Sequence, residues 1–239
     1  MFAFTLPALL FNFQVHPRDE DLLPYGHAEF LKAAENRPVQ KRGKMEISLV
    51  TLILFLVFAT LASGVTGIPH HFPGFADSIG YSATVGATML SAGMISNIIS
   101  KLFLGFLSDR VGAVKANFTM IAINIGAAII LLNGTNASVM LVGAFLFGSI
   151  FSVASVGKTL LTTTIFGIEN YGTVYPFISF AGTMGGAFGM SIVGYIYDFT
   201  GSYMNAFIVA IVINALNLVL LIIMAKQALK KKKEAELLV

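Results

Sequence analysis

The chain has 239 residues, of which 56% are hydrophobic and only 11% charged, and its formal net charge is +3. A water-soluble domain carries about 25% charged residues; here the charges are crowded out of long apolar runs, whose natural solvent is lipid. The absence of cysteine excludes disulfides and thiolate metal sites, and the absence of tryptophan leaves any interfacial aromatic belt to Tyr and Phe.

Residues 1–13 are apolar but lack a basic leader and a small-residue cleavage site, so they do not read as a signal peptide. They are too few to cross a bilayer, and they read as the end of a preceding transmembrane helix that begins before this chain. Residues 14–46 form a hydrophilic loop with a short helix expected near Ala28–Glu35. Residues 47–225 hold six hydrophobic segments, at Ile47–Ile68, Ser82–Leu107, Ala116–Leu132, Val139–Phe166, Val174–Tyr197 and Met204–Ala225. At about 1.5 Å rise per residue each can cross about 30 Å of hydrocarbon, the third only just. In lipid every backbone polar group must be paired, so spans are helices or closed barrels. Continuous apolar runs without alternation select helices. The predicted fold is therefore all-α, a polytopic bundle of six transmembrane helices.

Orientation follows from Lys and Arg. Loops 70–81, 133–138 and 198–203 contain none. The opposite side holds Arg37, Lys41, Arg42 and Lys44, then Arg110 and Lys115, then Lys226 and Lys230–Lys233. That side is expected to be cytoplasmic, which places both ends of the six-helix set in the cytoplasm. The basic tail, 226–239, reads as a topology signal; a lipid-binding patch is the other reading.

The loop after the second span is Gly105-Phe-Leu-Ser-Asp109-Arg110-Val-Gly112-Ala-Val-Lys115. It resembles the signature cytoplasmic loop of the major facilitator superfamily, which lies between the second and third helices of each six-helix half. A tight turn needs glycine, an Asp can cap a helix N-terminus, and an Arg can pair with an acid on the facing bundle. The resemblance thus implies a gating loop of Gly105, Asp109, Arg110, Gly112 and Lys115. Ala113 departs from the pattern, since a second basic residue is common there. The stretch from Gly189 to Tyr203 is similar to the junction of the last two helices in the oxalate/formate antiporter and monocarboxylate transporter branches. Phe166-Gly-Ile-Glu169-Asn-Tyr-Gly172 is similar to their loop between the tenth and eleventh helices, which adds Glu169 to the gating set. On this resemblance the six spans correspond to helices seven to twelve, half of a twelve-helix fold. An N-terminal six-helix half, in missing sequence or in a partner chain, would complete it.

Two lysines interrupt the spans. A charge at the bilayer centre costs about 2.5–3.5 kcal/mol on insertion scales, so an intramembrane Lys is a functional candidate by default. Lys101 stands eight residues before Asp109, just past the end of its span, and Lys158 eight before Phe166, each about 12 Å from the cytoplasmic end, and a Lys stem can snorkel part of that way. Lys101 shares a helix face with Asn97 and Gly93. In the two branches named above, a cation four residues before the loop glycine binds the substrate carboxylate, and Lys101 stands at that place relative to Gly105. The branches use Arg there, so bidentate clamping is lost; Asn97 replaces an acid found in some members. Snorkelling or packing is the alternative for Lys101. Lys158 shares a stripe with Ser155 and Thr162, and the stripe reads either as pathway lining or as a pairing with a carboxylate of a facing helix.

The branch's oxalate carriers use a further lysine in the eleventh helix, and Ser179–Gly186 has none, which disfavours oxalate. That segment instead holds Gly182, Gly185, Gly186 and, just beyond, Gly189, whose four-residue spacings permit close helix packing. His70 and His71 read as interfacial residues. No nucleotide-binding loop, catalytic constellation or metal-ligand cluster is visible in the sequence, so no enzymatic role, cofactor, metal or nucleic-acid partner is expected. The expected function is secondary active transport by alternating access of a small organic anion such as a monocarboxylate, by antiport or proton symport, in the plasma membrane. The alternatives are a neutral or cationic solute, a drug or sugar, or a non-transporting membrane subunit or remnant.

Overall fold

The computed structural model describes residues 47–134 and 136–236, the last six of these as backbone only. The expectations for 1–13, for the loop 14–46 with its helix at Ala28–Glu35, and for 237–239 lie outside the described residues.

Six helical spans run through the described chain, Leu49–Ser78, Ala83–Val111, Ala113–Asn133, Ala137–Phe166, Ile168–Thr200 and Met204–Lys230, each long and apolar enough to cross a membrane. They match the predicted six in number and order, but they are longer. The third was predicted at 116–132, whereas its helix starts at Ala113, directly after Gly112. Gly112 adopts φ +87° and ψ 154°, so one residue both ends the second helix and opens the third. Gly167, with φ +79° and ψ 158°, does the same between the fourth and fifth spans. These angles lie in a region essentially restricted to glycine. Asp109, Arg110 and Glu169 therefore sit in helical end turns rather than in loops; hydropathy marks where polarity rises, not where the helix stops.

The expected outer loop 70–81 also differs from prediction. The helix Leu49–Val65 passes into a 3₁₀ turn, Ile68–His71, and then into a short α-helix, Phe72–Ser78. Pro69 and Pro73 occupy first-turn positions, where a missing N–H is harmless. Phe72 and Phe75 are fully buried and pack edge-on against Phe147 and Phe207, at 6.1 and 4.9 Å between ring centres. Aromatic burial holds this segment down.

The fourth span is the most interrupted. Ala137–Phe147 is followed by a turn at Gly148 and Ser149, one short turn at Ile150–Ser152, a π-helical stretch over Val153–Gly157, and the helix Lys158–Phe166. Gly148 lies against the backbone of Gly93 in the second span, so the break coincides with a close crossing. The first and fifth spans also pack through glycine. A β-carbon on Gly185 would strike the Thr60 carbonyl, and one on Gly189 the Gly64 carbonyl. Without a hydrophobic drive between helices in lipid, such backbone contact supplies much of the attraction. The third and sixth spans are joined by Asn214 Nδ2 donating to Asn124 Oδ1 at 2.8 Å, both side chains fully buried.

Candidate functional site

Lys158 opens the last helix of the fourth span, immediately after the π-helical stretch, and is only 7% exposed. Its ammonium lies in a niche between three spans. A β-carbon built on Gly182 of the fifth span would stand 2.8 Å from Lys158 Nζ and 3.0 Å from Ser63 Oγ of the first. Gly182 thus leaves the space that the ammonium fills. The Tyr175 phenol of the fifth span is the electrostatic neighbour of Lys158. It accepts a hydrogen bond from Thr159 Oγ1 at 3.2 Å and stacks on Tyr171 at 4.7 Å between ring centres. Among the described residues no carboxylate pairs with Lys158.

The other residues of the Lys158 stripe are occupied. Ser155 Oγ donates to the Phe151 carbonyl at 2.6 Å, and Thr162 Oγ1 to the Lys158 carbonyl at 2.7 Å. Thr162 is fully buried, whereas Ser155 is half-buried. Hydroxyls used this way return their proton to their own helix, so only their lone pairs remain for a solute.

Lys101 has a different setting. It is half-buried on the second span, beside Ile98 and Leu102, which are 66% and 73% exposed. Asn97, one turn earlier, keeps Oδ1 buried without a partner, and Gly93 packs toward the Ala144 carbonyl. Among the described residues no hydrogen bond joins Lys101 to Lys158.

At the ends of the spans, Arg110 lies over the Phe106 ring at 4.3 Å, a cation–π contact. Asp109, Lys115 and Glu169 are exposed, and a β-carbon on Gly105 would meet open space. Ala113, where the resemblance leads one to expect a base, is 8% exposed at the start of the third helix. A cation there would be buried, which accounts for the departure. Gly185 and Gly189 face the backbone of the first span, Gly182 faces Lys158 and Ser63, and Gly186 has only ordinary contacts, the nearest at 3.8 Å.

Sequence reasoning did not single out Ser63 or Tyr175. Ser63 hides in a run of small residues, and Tyr175 is the second residue of the predicted fifth span, where an aromatic near a span end passes as an interfacial residue. It also passed over a repeated spacing. Gly105-x-x-x-Asp109-x-x-Gly112 recurs as Gly194-x-x-x-Asp198-x-x-Gly201, and Gly201 too has positive φ, +68°. In both copies the closing glycine N–H bonds the carbonyl four residues back, at 2.9 and 2.7 Å. At the second copy Tyr203 stacks on Tyr197 at 4.3 Å and meets His71 at 5.7 Å. Burial, together with Tyr197 and Asp198, pushes the Tyr203 phenol above its ordinary pKa.

The comparisons with known proteins bear on the fold and the family. The fucose:proton symporter FucP of E. coli, in a mutant form, superposes with a TM-score of 0.61 at 14% sequence identity, over 93% of this chain and 64% of its own. The chain therefore spans less than two thirds of that symporter's length, and likeness at this identity speaks for fold alone. No curated protein matches the chain. The family model described as Major Facilitator Superfamily matches residues 47–237, from just before the first span to beyond the sixth. On that match, with six membrane-crossing helices beneath it, this integral membrane protein belongs to the Major Facilitator Superfamily, a family of transporters rather than enzymes.

Proposed function

We propose that the chain supplies one six-helix bundle of a secondary active transporter, and that its cargo is a small organic anion such as a monocarboxylate, moved by antiport or proton symport. The observation that carries the anion is Lys158. Its ammonium is withdrawn among apolar spans, beside Ser63 and Tyr175, with no acid to pair with among the described residues. A buried cation left alone is costly, and a substrate carboxylate arriving next to it lowers that cost. The resemblance to the oxalate/formate and monocarboxylate branches supports the same class. Lys101, Asn97, Ser155 and Thr162 are assigned to the pathway on the strength of that resemblance and their helix faces.

Transport between two sides needs a second bundle rocking against this one. The second and fifth spans are the least covered, with 22% and 28% of their apolar stretches buried against 39–50% in the others, so they are the faces offered to an N-terminal half. The basic side is the cytoplasmic one, in the plasma membrane. There the gating residues Asp109, Arg110, Lys115 and Glu169 make contacts in one state that break in the other.

The test is uptake by vesicles containing the full carrier, wild type against Lys158→Gln. Loss of one charge-assisted contact is expected to weaken monocarboxylate uptake about 10- to 100-fold. Undiminished anion uptake would sink the assignment. A second reading, a neutral sugar, is favoured by the hydroxyls of Ser63, Thr159 and Tyr175 around the same point, and the fold neighbour is a fucose:proton symporter. Sugar uptake that survives Lys158→Gln but falls with Tyr175→Phe would select it.

A further inference from the structure

The end of the bundle that carries the basic residues holds a cleft whose lining does not include Lys158. A cavity of about 420 Å³ opens between Gly112 and Lys115 at the start of the third span, Thr164 and Ile165 at the end of the fourth, and Ala225 and Leu229 at the end of the sixth. Its volume falls in the range of small-molecule sites, about 300–1,000 Å³. Its wall is apolar apart from Lys115 and Thr164, and the Thr164 hydroxyl already donates to the Leu160 carbonyl at 2.7 Å. Among the described residues no acidic one lines it. Lys115 is exposed at the rim, and exposed Lys226 follows the lining residue Ala225 directly in sequence. The sixth helix then continues as Lys230–Lys233, past the apolar span.

An apolar slot whose one charged lining residue is the exposed Lys115, with Lys226 on the flank of the sixth helix, has at the ends of the spans the two-part chemistry of a phospholipid: chain below, anionic headgroup above. Basic pockets between transmembrane helices at a membrane face recognise anionic headgroups in this way. A free anion has no use for the apolar wall, and a zwitterionic headgroup brings its own cation to the lysines. We propose that this cleft binds one anionic phospholipid from the adjoining leaflet, its phosphate held by Lys115 and Lys226 and an acyl chain lying against Ile165, Ala225 and Leu229. The lipid would then touch Gly112 and Lys115, the closing part of the Gly105–Lys115 signature segment, and would brace the third, fourth and sixth spans against one another.

The test uses the full chain reconstituted in phosphatidylcholine bilayers with a minor fraction of phosphatidylglycerol. Lipids retained after gentle solubilisation are counted by native mass spectrometry, a readout independent of transport. Wild type is expected to retain one phosphatidylglycerol in preference to phosphatidylcholine. Replacing both lysines, Lys115→Gln with Lys226→Gln, is expected to cut that preference about thirtyfold, while Lys115→Arg with Lys226→Arg keeps it. Both lysines are exposed, so these variants leave the packed interior intact. Ala225→Leu, which narrows the slot but keeps the charges, is expected to lower retention as well. Unchanged preference in the double Gln variant would overturn the proposal. So would competition by inorganic phosphate at equal potency, or a cleft that stays closed to every lipid because the chain's own residues fill it.

Discussion

A single missing methyl group decides where Lys158 can put its charge. Gly182→Ala would place a β-carbon 2.8 Å from Nζ and 3.0 Å from Ser63 Oγ, below contact distance for both. The ammonium, the end of a flexible stem, would have to leave the niche. We expect Gly182→Ala to depress transport as Lys158→Gln does, whereas Gly186→Ala, with its nearest neighbour at 3.8 Å, leaves uptake unchanged; vesicle uptake of both variants checks this. Equal effects of the two would mean that glycine as such, rather than the niche, matters. At this scale the sequence announced Lys158, because a cation stands out in an apolar run. It could not announce the niche. A four-residue glycine spacing looks the same whether the space is filled by a neighbouring backbone, as at Gly185, or by an ammonium, as at Gly182.

Helices and their joints come next. The predicted spans were sound in number because hydrophobic length is what lipid selects. The ends were not, because a helix continues through polar residues until something stops it, and here the stops are single glycines. Gly112→Ala is expected to cost about 1–3 kcal/mol, since φ +87° with ψ 154° belongs to glycine. Gly105→Ala, in open space seven residues earlier, is expected to be neutral or slightly stabilising, by up to about 1 kcal/mol, because alanine favours the helix. Thermal unfolding in detergent separates them. The interruption of the fourth span was illegible for a related reason. Val139–Phe166 is one apolar run interrupted by a charge only at Lys158, and neither the turn at Gly148 nor the π-helical stretch over Val153–Gly157 stands out in it. That stretch has a physical correlate only in three dimensions, where a β-carbon on Gly157 would run into the Asn117 carboxamide. Such π-turns recur at functional positions, and this one leads directly into Lys158.

For the molecule as a whole, the alternation of bare and basic junctions survives in space. Gly112 and Lys115, Thr164 and Ile165, and Ala225 and Leu229 surround one cleft, so the basic junctions after the second and sixth spans gather with the fourth span's end on one face. Because the chain has no cysteine, one introduced thiol reports one place. In intact cells an impermeant maleimide is expected to label Thr200→Cys and to spare Ser108→Cys until the membrane is opened; labelling of Ser108→Cys from outside would reverse the proposed orientation. The family and the all-helical bundle were readable from a short loop and six long runs. The solute was not, because hydropathy and a short loop say nothing of the side chains that would meet it; on the proposed function these are a few around Lys158, completed by a facing half.

The twofold use of Gly-x-x-x-Asp-x-x-Gly has a consequence for how solution conditions reach the protein. The two copies finish spans that run in opposite senses, and in both a glycine of positive φ closes the helix by bonding the carbonyl four residues back. Yet Arg110 follows the aspartate in one, and Phe199, 86% exposed, in the other. Attraction between exposed charges fades within about 8 Å at physiological ionic strength, whereas apolar contact does not. Raising salt on one face would therefore loosen whatever Arg110 grips and leave the Phe199 face untouched. Two junctions of one sequence spacing would answer to different chemistry, so added electrolyte becomes a one-sided handle on the protein.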